Sequence, residues 1–233
     1  MSSLSDLRTR ARRLADAVGN NFFSDAEVDE YVNIGLGELH DILVSKFEDY
    51  YVSSAAFNLV SGTSVYSLPS AGVTNLYKLL GIDVTQGSDT IRVPRYSFQE
   101  RNMLSSNAAL YSNRGSANIR YNLNGTNLTF MPEPDSADSV TVWYVPSFVK
   151  LVNDADSVSN NIATNWEEYA VVLAALKMKS KEETSTVPLE RELTRISARI
   201  EEASRNRDAG EPMGITDDGA GLTISYGDSF NWG

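Results

Sequence analysis

The sequence predicts an α+β protein: N-terminal and C-terminal helices packed together with a central antiparallel β domain, followed by an extended C-terminal arm. Three observations carry this. Apolar residues recur at steps of three and four up to Phe47, and again from Trp166 to Ala203, which is the spacing of one helix face. Between those stretches the pattern turns to short alternating runs broken by turn residues, and five of the seven prolines fall from Pro69 to Pro146. Beyond Arg207 the chain is Gly-rich and acidic, with no period long enough for a packed element. The expected divisions are a helical pair over 1–50, a β domain with a short helix over 51–150, C-terminal helices joining the helical layer over 151–208, and a flexible arm over 209–233.

In chain order, Leu4, Leu7, Ala11, Leu14 and Val18 predict a first helix ended by Gly19-Asn20. The second, Ser24 to Phe47, is the longest periodic run, with Val28, Tyr31, Val32, Leu36, Leu39, Ile42, Leu43 and Phe47 on one stripe. Ser24 and Glu27 have the spacing of a capping box. Gly35 and Gly37 each cost up to about 1 kcal/mol inside a helix, so they point to close approach by another helix or by a neighbouring subunit, with a plain exposed glycine as the alternative.

The strands follow. Ala55–Val60 and Val65–Pro69, joined through Ser61-Gly62-Thr63, read as a β-hairpin. Leu76–Val84 and Thr90–Val93 flank the polar turn Gln86–Asp89, and Ser97 with Glu100 opens a short helix through Leu104. Asn124-Gly125 between alternating runs asks for a type I′ turn, and pairing Leu123 with Thr126 sets Tyr121 opposite Leu128 and Ile119 opposite Phe130. Ser139–Val145 continues the sheet, with Val140, Val142 and Tyr144 on one face and Trp143 and Val145 on the other. Thr164 and Glu167 form a third capping box before a helix carrying Trp166, Tyr169, Ala170, Leu173 and Leu176 to about Glu183. Pro188 begins a last helix on which Leu189, Leu193, Ile196, Ile200 and Ala203 suit packing on its predecessor or on another subunit.

The composition bounds the chemistry. At 233 residues, 42% apolar and 22% charged, the chain can build a sizeable core. Without cysteine there is no disulfide, thiolate metal site or cysteine nucleophile, which suits a cytosolic chain. The N-terminal stretch lacks the apolar core of a signal peptide, and no window approaches the ~20 apolar residues of a membrane span, so a soluble, unsecreted chain with no membrane partner is expected. The net charge of −11 is uneven: residues 24–50 hold eight acids against one lysine, while residues 1–23 hold four arginines against two aspartates. Such acidity opposes broad affinity for nucleic acid. Arg8, Arg10, Arg12 and Arg13 could meet phosphate or an acidic neighbour, though a solvated face near the acidic second helix is the plainer reading.

Catalytic signatures do not emerge. His40 and Asp41 are sequence neighbours on a helix and point about 100° apart, so a structural or solvated histidine is expected. There is no G-x-S-x-G elbow or P-loop, and Asn153–Asp156 lacks the glycine and terminal glutamate of a calcium loop, so its carboxylates are read as solvating a turn. No cofactor or metal is expected. A carboxylate-pair hydrolase leaves no sequence signature and stays open as a third reading.

The order of helical pair, β domain, returning helices and Gly-rich tail resembles the head-to-tail adaptor (connector) proteins of tailed bacteriophages, a group that includes tail tubular protein A. Tyr31-Val32-Asn33-Ile34-Gly35-Leu36-Gly37-Glu38-Leu39 is similar to their helix with a Leu-Asn-x-Gly-like core, and Gly62–Pro69 is similar to their Tyr-x-Leu-Pro strand. The resemblance implies a virion protein made in the host cytoplasm and placed at the head–tail junction. It implies a homo-oligomeric ring, commonly of twelve subunits, that docks under the portal protein and meets a tail or nozzle protein below. DNA would pass through its channel without specific binding, and no catalysis is implied. Within that reading Gly35 and Gly37 are candidates for the subunit interface. Leu222, Ile224, Tyr226, Phe230 and Trp232 are the apolar residues of a portal-docking arm, the alternative being a tail folded back on its own subunit. The rival class is a carbohydrate-type β-sandwich binding module with appended helices, for which Tyr111, Tyr121, Trp143 and Tyr144 could supply exposed rings.

Overall fold

The long helix is the spine of one of two apolar cores. A computed structural model describes residues 2–19, 21–46, 51–101, 119–158 and 166–205. Helix α1 spans Leu4–Leu14 and α2 spans Asp25–Lys46. After strands β1 to β7, helices α3 (Glu167–Lys181) and α4 (Val187–Arg205) return to the same layer. Val28, Val32, Leu36, Leu39 and Leu43 of α2 are buried with Leu4, Leu7 and Ala11 of α1, Ala170, Leu173 and Ala174 of α3, and Ile196 and Ile200 of α4. Gly35 explains how close two of these helices come: a Cβ added there would lie 2.7 Å from Ala170 Cα. The close approach is thus made by α3 of the same chain. Gly37 is different, since an added Cβ would make ordinary contact with Phe148 Cδ1 at 3.7 Å.

Helix ends depart from expectation in instructive ways. Helix α1 stops at Leu14, not near Gly19, because Asp16 takes a left-handed conformation (φ 55°), with Asp16 N–H bonding Arg13 O and Ala17 N–H bonding Arg12 O. Helix α3 closes the same way around Glu183 (φ 55°). These are Schellman closures with an acid where glycine is usual. Val18 is consequently outside the helix and exposed, and Leu14 is 41% exposed. At the start of α2 only half of the predicted box forms: Glu27 N–H donates to Ser24 Oγ, but the Glu27 carboxylate accepts from the Tyr31 hydroxyl and Lys181 instead. Helix α3 begins at Glu167 with Trp166 as its cap, so Glu167 is not the third residue of a Thr164-capped turn; Thr164 lies outside the described residues.

The second core lies between two antiparallel sheets. One has the order β1-β7-β3-β4 and the other β2-β6-β5, with β1 Ser53–Asn58, β2 Val65–Ser67, β3 Leu76–Gln86, β4 Asp89–Arg92, β5 Arg120–Asn124, β6 Asn127–Met131 and β7 Ser139–Pro146. Ile82, Val84, Val140 and Val142 from the first sheet meet Tyr121, Leu128 and Phe130 from the second. The predicted β1–β2 hairpin is therefore wrong: β1 pairs with β7 and β2 with β6. Splitting the two strands between facing sheets buries an apolar face of each, which a lone hairpin cannot do. The link between them is held by Tyr66, whose hydroxyl bonds the backbone of Val60 and whose ring packs between Phe57 and Phe130.

The β3–β4 hairpin forms as expected. The β5–β6 hairpin also forms, but in another register: Leu123 faces Leu128 and Tyr121 faces Phe130. Only Gly125 has positive φ, at 61°, so the turn is centred on Gly125-Thr126 with glycine first, as a type II′ turn requires. Moving the pairing by two residues keeps every side chain on its face and opposes the large apolar groups directly. The Ser97–Glu100 box closes a 3-10 turn over Phe98–Glu100, and the expected helix through Leu104 extends beyond the described residues.

Strand β7 serves both cores. Val140, Val142 and Tyr144 enter the β core while Val145 enters the helical one, as the two-faced pattern predicts. Gly35→Ala is expected to cost about 1–3 kcal/mol through overpacking against the α3 backbone, whereas Gly37→Ala should be neutral or gain up to about 1 kcal/mol of helix propensity. Urea unfolding followed by circular dichroism checks this, and equal midpoints for the two variants would refute the close approach.

Candidate assembly site

The segment that leaves β7, a strap over residues 147–158, runs across α2 and reaches α1, joining the two cores. Its first tie is the Pro146 carbonyl, 3.1 Å from His40 Nε2, which must donate because a carbonyl only accepts. His40 is buried, stacked on Tyr51 and set edge-on to Tyr77. Its Nδ1 is 3.7 Å from Asp41 Oδ1, too long for a hydrogen bond, and Asp41 instead accepts from the Tyr77 hydroxyl, which with burial raises the Tyr77 pKa. Of the structural and solvated histidines that the sequence allowed, the fold contains the structural one.

Two turns earlier on α2, Asn33 makes a two-way amide pair with the same segment. Its Nδ2 donates to Leu151 O at 3.0 Å and its Oδ1 accepts from Leu151 N–H at 2.8 Å, while Nδ2 also meets Asp29 O. Sequence reasoning did not assign this role. The available signal was a polar residue inside the apolar stripe, which needs a partner once buried.

Further along, the predicted solvated turn is also structural. Asp156 accepts from the N–H groups of Val152 and Asn153, at 2.8 Å each. These bonds, that from Asn153 first, hold its carboxyl below the usual aspartate range. Asp154 pairs with Arg8, and Leu4 N–H donates to Asp156 O.

The basic face of α1 is absorbed by these acids. Arg8 grips Asp29 through Nε and Nη2, at 2.6 and 2.8 Å, with both side chains mostly buried, and this fork raises the Arg8 pKa. Arg10 pairs with Glu168 and lies 3.9 Å from the buried Glu167. Arg12 bonds Phe23 O and Asp25. A bidentate guanidinium–carboxylate pair is among the stronger polar contacts. Three of the four arginines thus bind acids of the same chain.

Between the strap and the helices lies a cleft of about 380 Å³ lined by His40, Tyr51, Asn75, Phe148, Lys150 and Val158 among others. Val149 and Val152 are exposed on the strap beside it. Among the described residues no group of three His, Asp or Glu side chains could hold a metal, and no described helix is long and apolar enough to cross a membrane.

The arrangement is built for holding parts together, and comparison with known families agrees. The sequence matches the SU10 adaptor protein family over residues 2–216. The chain belongs to that family. Its role is that of a phage head–tail adaptor, a structural protein of the virion's head–tail junction whose neighbours are portal and tail components. No match to a curated protein accompanies this one. The family agrees with a non-catalytic role. The adaptor's Asn33-x-Gly35 motif now has a physical meaning, because Asn33 holds the strap and Gly35 admits α3.

Other sequence-based site residues fall as follows. Gly35 is buried and Gly37 half-buried within the helical layer. Leu222, Ile224, Tyr226, Phe230 and Trp232 lie outside the described residues. Of the rings considered for carbohydrate, Tyr121 and Tyr144 are core residues, Trp143 is 39% exposed with its indole N–H donating to Asp83, and Tyr111 is outside the described residues. An exposed cluster does not form from the described members of that set.

Arg8→Ala is expected to lose about 3 kcal/mol, since it strands the mostly buried Asp29 carboxylate. Denaturant midpoints check it, and a change near zero would show the fork to be decorative. The pH dependence has a definite sign. Asp156 is held below its ordinary pKa in the folded state, so its contribution is present above the usual carboxylate range and lost as pH falls through the folded value. Thermal melts at falling pH should therefore show a shallower loss for Asp156→Asn than for the parent adaptor.

Proposed function

We propose that the adaptor assembles as a closed homo-oligomeric ring, of twelve subunits in the manner of its group, docked beneath the portal and extending the DNA channel toward a tail or nozzle protein. The observation that carries this reading is the family match across nearly the whole chain. Two physical features support it. The net charge of −11 disfavours retention of duplex along a channel wall, and three of the four arginines of α1 that could have held phosphate are engaged with Asp29, Asp154, Glu168 and Asp25. Subunits would meet through heterologous contacts that close by rotation. Gly37 and the exposed Ile34, one turn apart from the buried seam of α2, belong to the proposed interface. A closer kinship to tail tubular protein A is part of the proposal and rests on the Tyr31–Leu39 and Gly62–Pro69 stretches. The subunit would be made in the host cytoplasm and carried into the virion. The arm after Arg207 is proposed to reach the portal, with Phe230 and Trp232 as its outermost anchors.

Light scattering should show a closed oligomer, either of the adaptor alone or on a portal ring; a chain that stays monomeric at high concentration and ignores the portal would sink the proposal. Fluorescence anisotropy with duplex DNA at about 0.15 M salt should show no tight binding. Deleting residues 209–233 is expected to leave the melting temperature of the subunit nearly unchanged and to abolish joining to the portal. A large drop in melting temperature would mean that the arm covers its own core.

A further inference from the structure

Among the described residues, no strand covers the outer edge of β1. The order β1-β7-β3-β4 pairs it with β7 alone, so its outward N–H and C=O groups face away from every described strand. Natural edges are blunted by charge, proline, bulges or shortness. The opposite edge, β4, carries Asp89 and Arg92, and in the second sheet β2 has only three residues while β5 carries Arg120 and is bridged by Arg95. By contrast β1 reads Ser-Ser-Ala-Ala-Phe-Asn, six residues with no charge and no proline. Exposed Val52 and Val60 stand at its two ends. Its faces differ: Ala55 and Phe57 pack on the β core, while Ser54, Ala56 and Asn58 are exposed.

Such an edge accepts a strand whose alternation matches, and the chain carries one. Leu222-Thr223-Ile224-Ser225-Tyr226 alternates large apolar with small polar residues. Set beside β1, its apolar face would continue Ala55 and Phe57, and Thr223 and Ser225 would continue the exposed Ser54 and Ala56. The end of α4 is suitably placed too. Lys46 Nζ at the end of α2 lies 3.2 Å from Glu201 Oε1 near the end of α4, and β1 begins only seven residues after Lys46. The C-terminal segment therefore departs from the end of the helical layer at which the chain turns into β1. From there a short link would reach β1 of the same subunit. A linker of sixteen residues, the length of 206–221, can extend about 53–58 Å, with a relaxed span of about 20–24 Å. A subunit of this length has a radius of gyration of about 17 Å, so the tether is scaled to a neighbour.

We propose that the outer edge of β1 is the seat of a strand formed by Leu222–Tyr226 of an adjacent copy of this chain. The inference rests on the ring reading and divides the arm between two tasks. Leu222, Ile224 and Tyr226 bind the next subunit through strand addition, in which backbone bonds hold and alternate side chains select. Phe230 and Trp232, farther out, remain available to the portal.

The absence of native cysteine makes a direct test clean. In the full-length chain, Ala56→Cys is combined with Ser225→Cys, and separately with Thr223→Cys to cover both registers of the exposed face. Oligomers are verified by light scattering and then oxidised. Covalent multimers on a non-reducing gel are expected from at least one pair. A disulfide confined to monomers would mean that the arm seats on its own β1, and overturns the proposal. No disulfide from either pair in a verified ring overturns it while leaving the ring reading intact, whereas a chain that never assembles, with or without the portal, overturns both. Hydrogen exchange supplies a second reading. The amides of Ser53–Asn58 should be protected in the ring and lose that protection in Ile224→Pro, a substitution 19 residues beyond α4 that leaves the helical and β cores untouched. Unchanged exchange would count against the added strand.

Discussion

Everything in the helical layer depends on one approach, that of α3 to α2 at Gly35. A side chain there would collide with the backbone of Ala170, so the two helices sit at a separation that only glycine permits. That separation brings the apolar stripes of both helices into one core, and α1 and α4 then cover its remaining sides. Asn33, two residues away, points at the strap and fixes Leu151 by paired amide bonds. A buried amide left unpaired is costly, so the helix and strap specify one another's position.

From this constraint follows the coupling between the two cores. Strand β7 contributes to both, and its exit is pinned successively by His40, Asn33 and Arg8 along a path from the β sandwich to α1. Interiors at native packing density transmit small displacements, because few voids absorb them. Transmission of this kind needs a stiff connection between the two cores. The strap provides it through hydrogen bonds and an ion-pair fork.

Charge is divided along the same lines. Acids of α2, of the strap and of α3 neutralise most of the basic first helix, and this internal pairing leaves a subunit whose net field is negative. The arginines therefore strengthen the subunit and add little to attraction for phosphate.

The sequence by itself determined the element types, the two-faced character of β7 and the turn glycine at Gly125, because each depends on periodicity or on local backbone chemistry. It marked Gly35 and Gly37 alike as candidates for a close approach, and only the structure separates them. The partner helix at that contact, the placing of β1 and β2 in facing sheets, the β5–β6 register and the engagement of Asn33, Asp154 and Asp156 were decided by tertiary structure alone. The physical reason is common to all four. Local patterns state which face of an element is apolar or which residue tolerates a turn, whereas the choice between possible partners is made by the total surface buried and the polar groups satisfied when the whole chain packs. Thus Leu123 and Leu128, compatible with either register, oppose one another because the sandwich core rewards it, and the Asp154 carboxylate, which on sequence grounds belongs to a solvated turn, meets Arg8 because the strap carries it there.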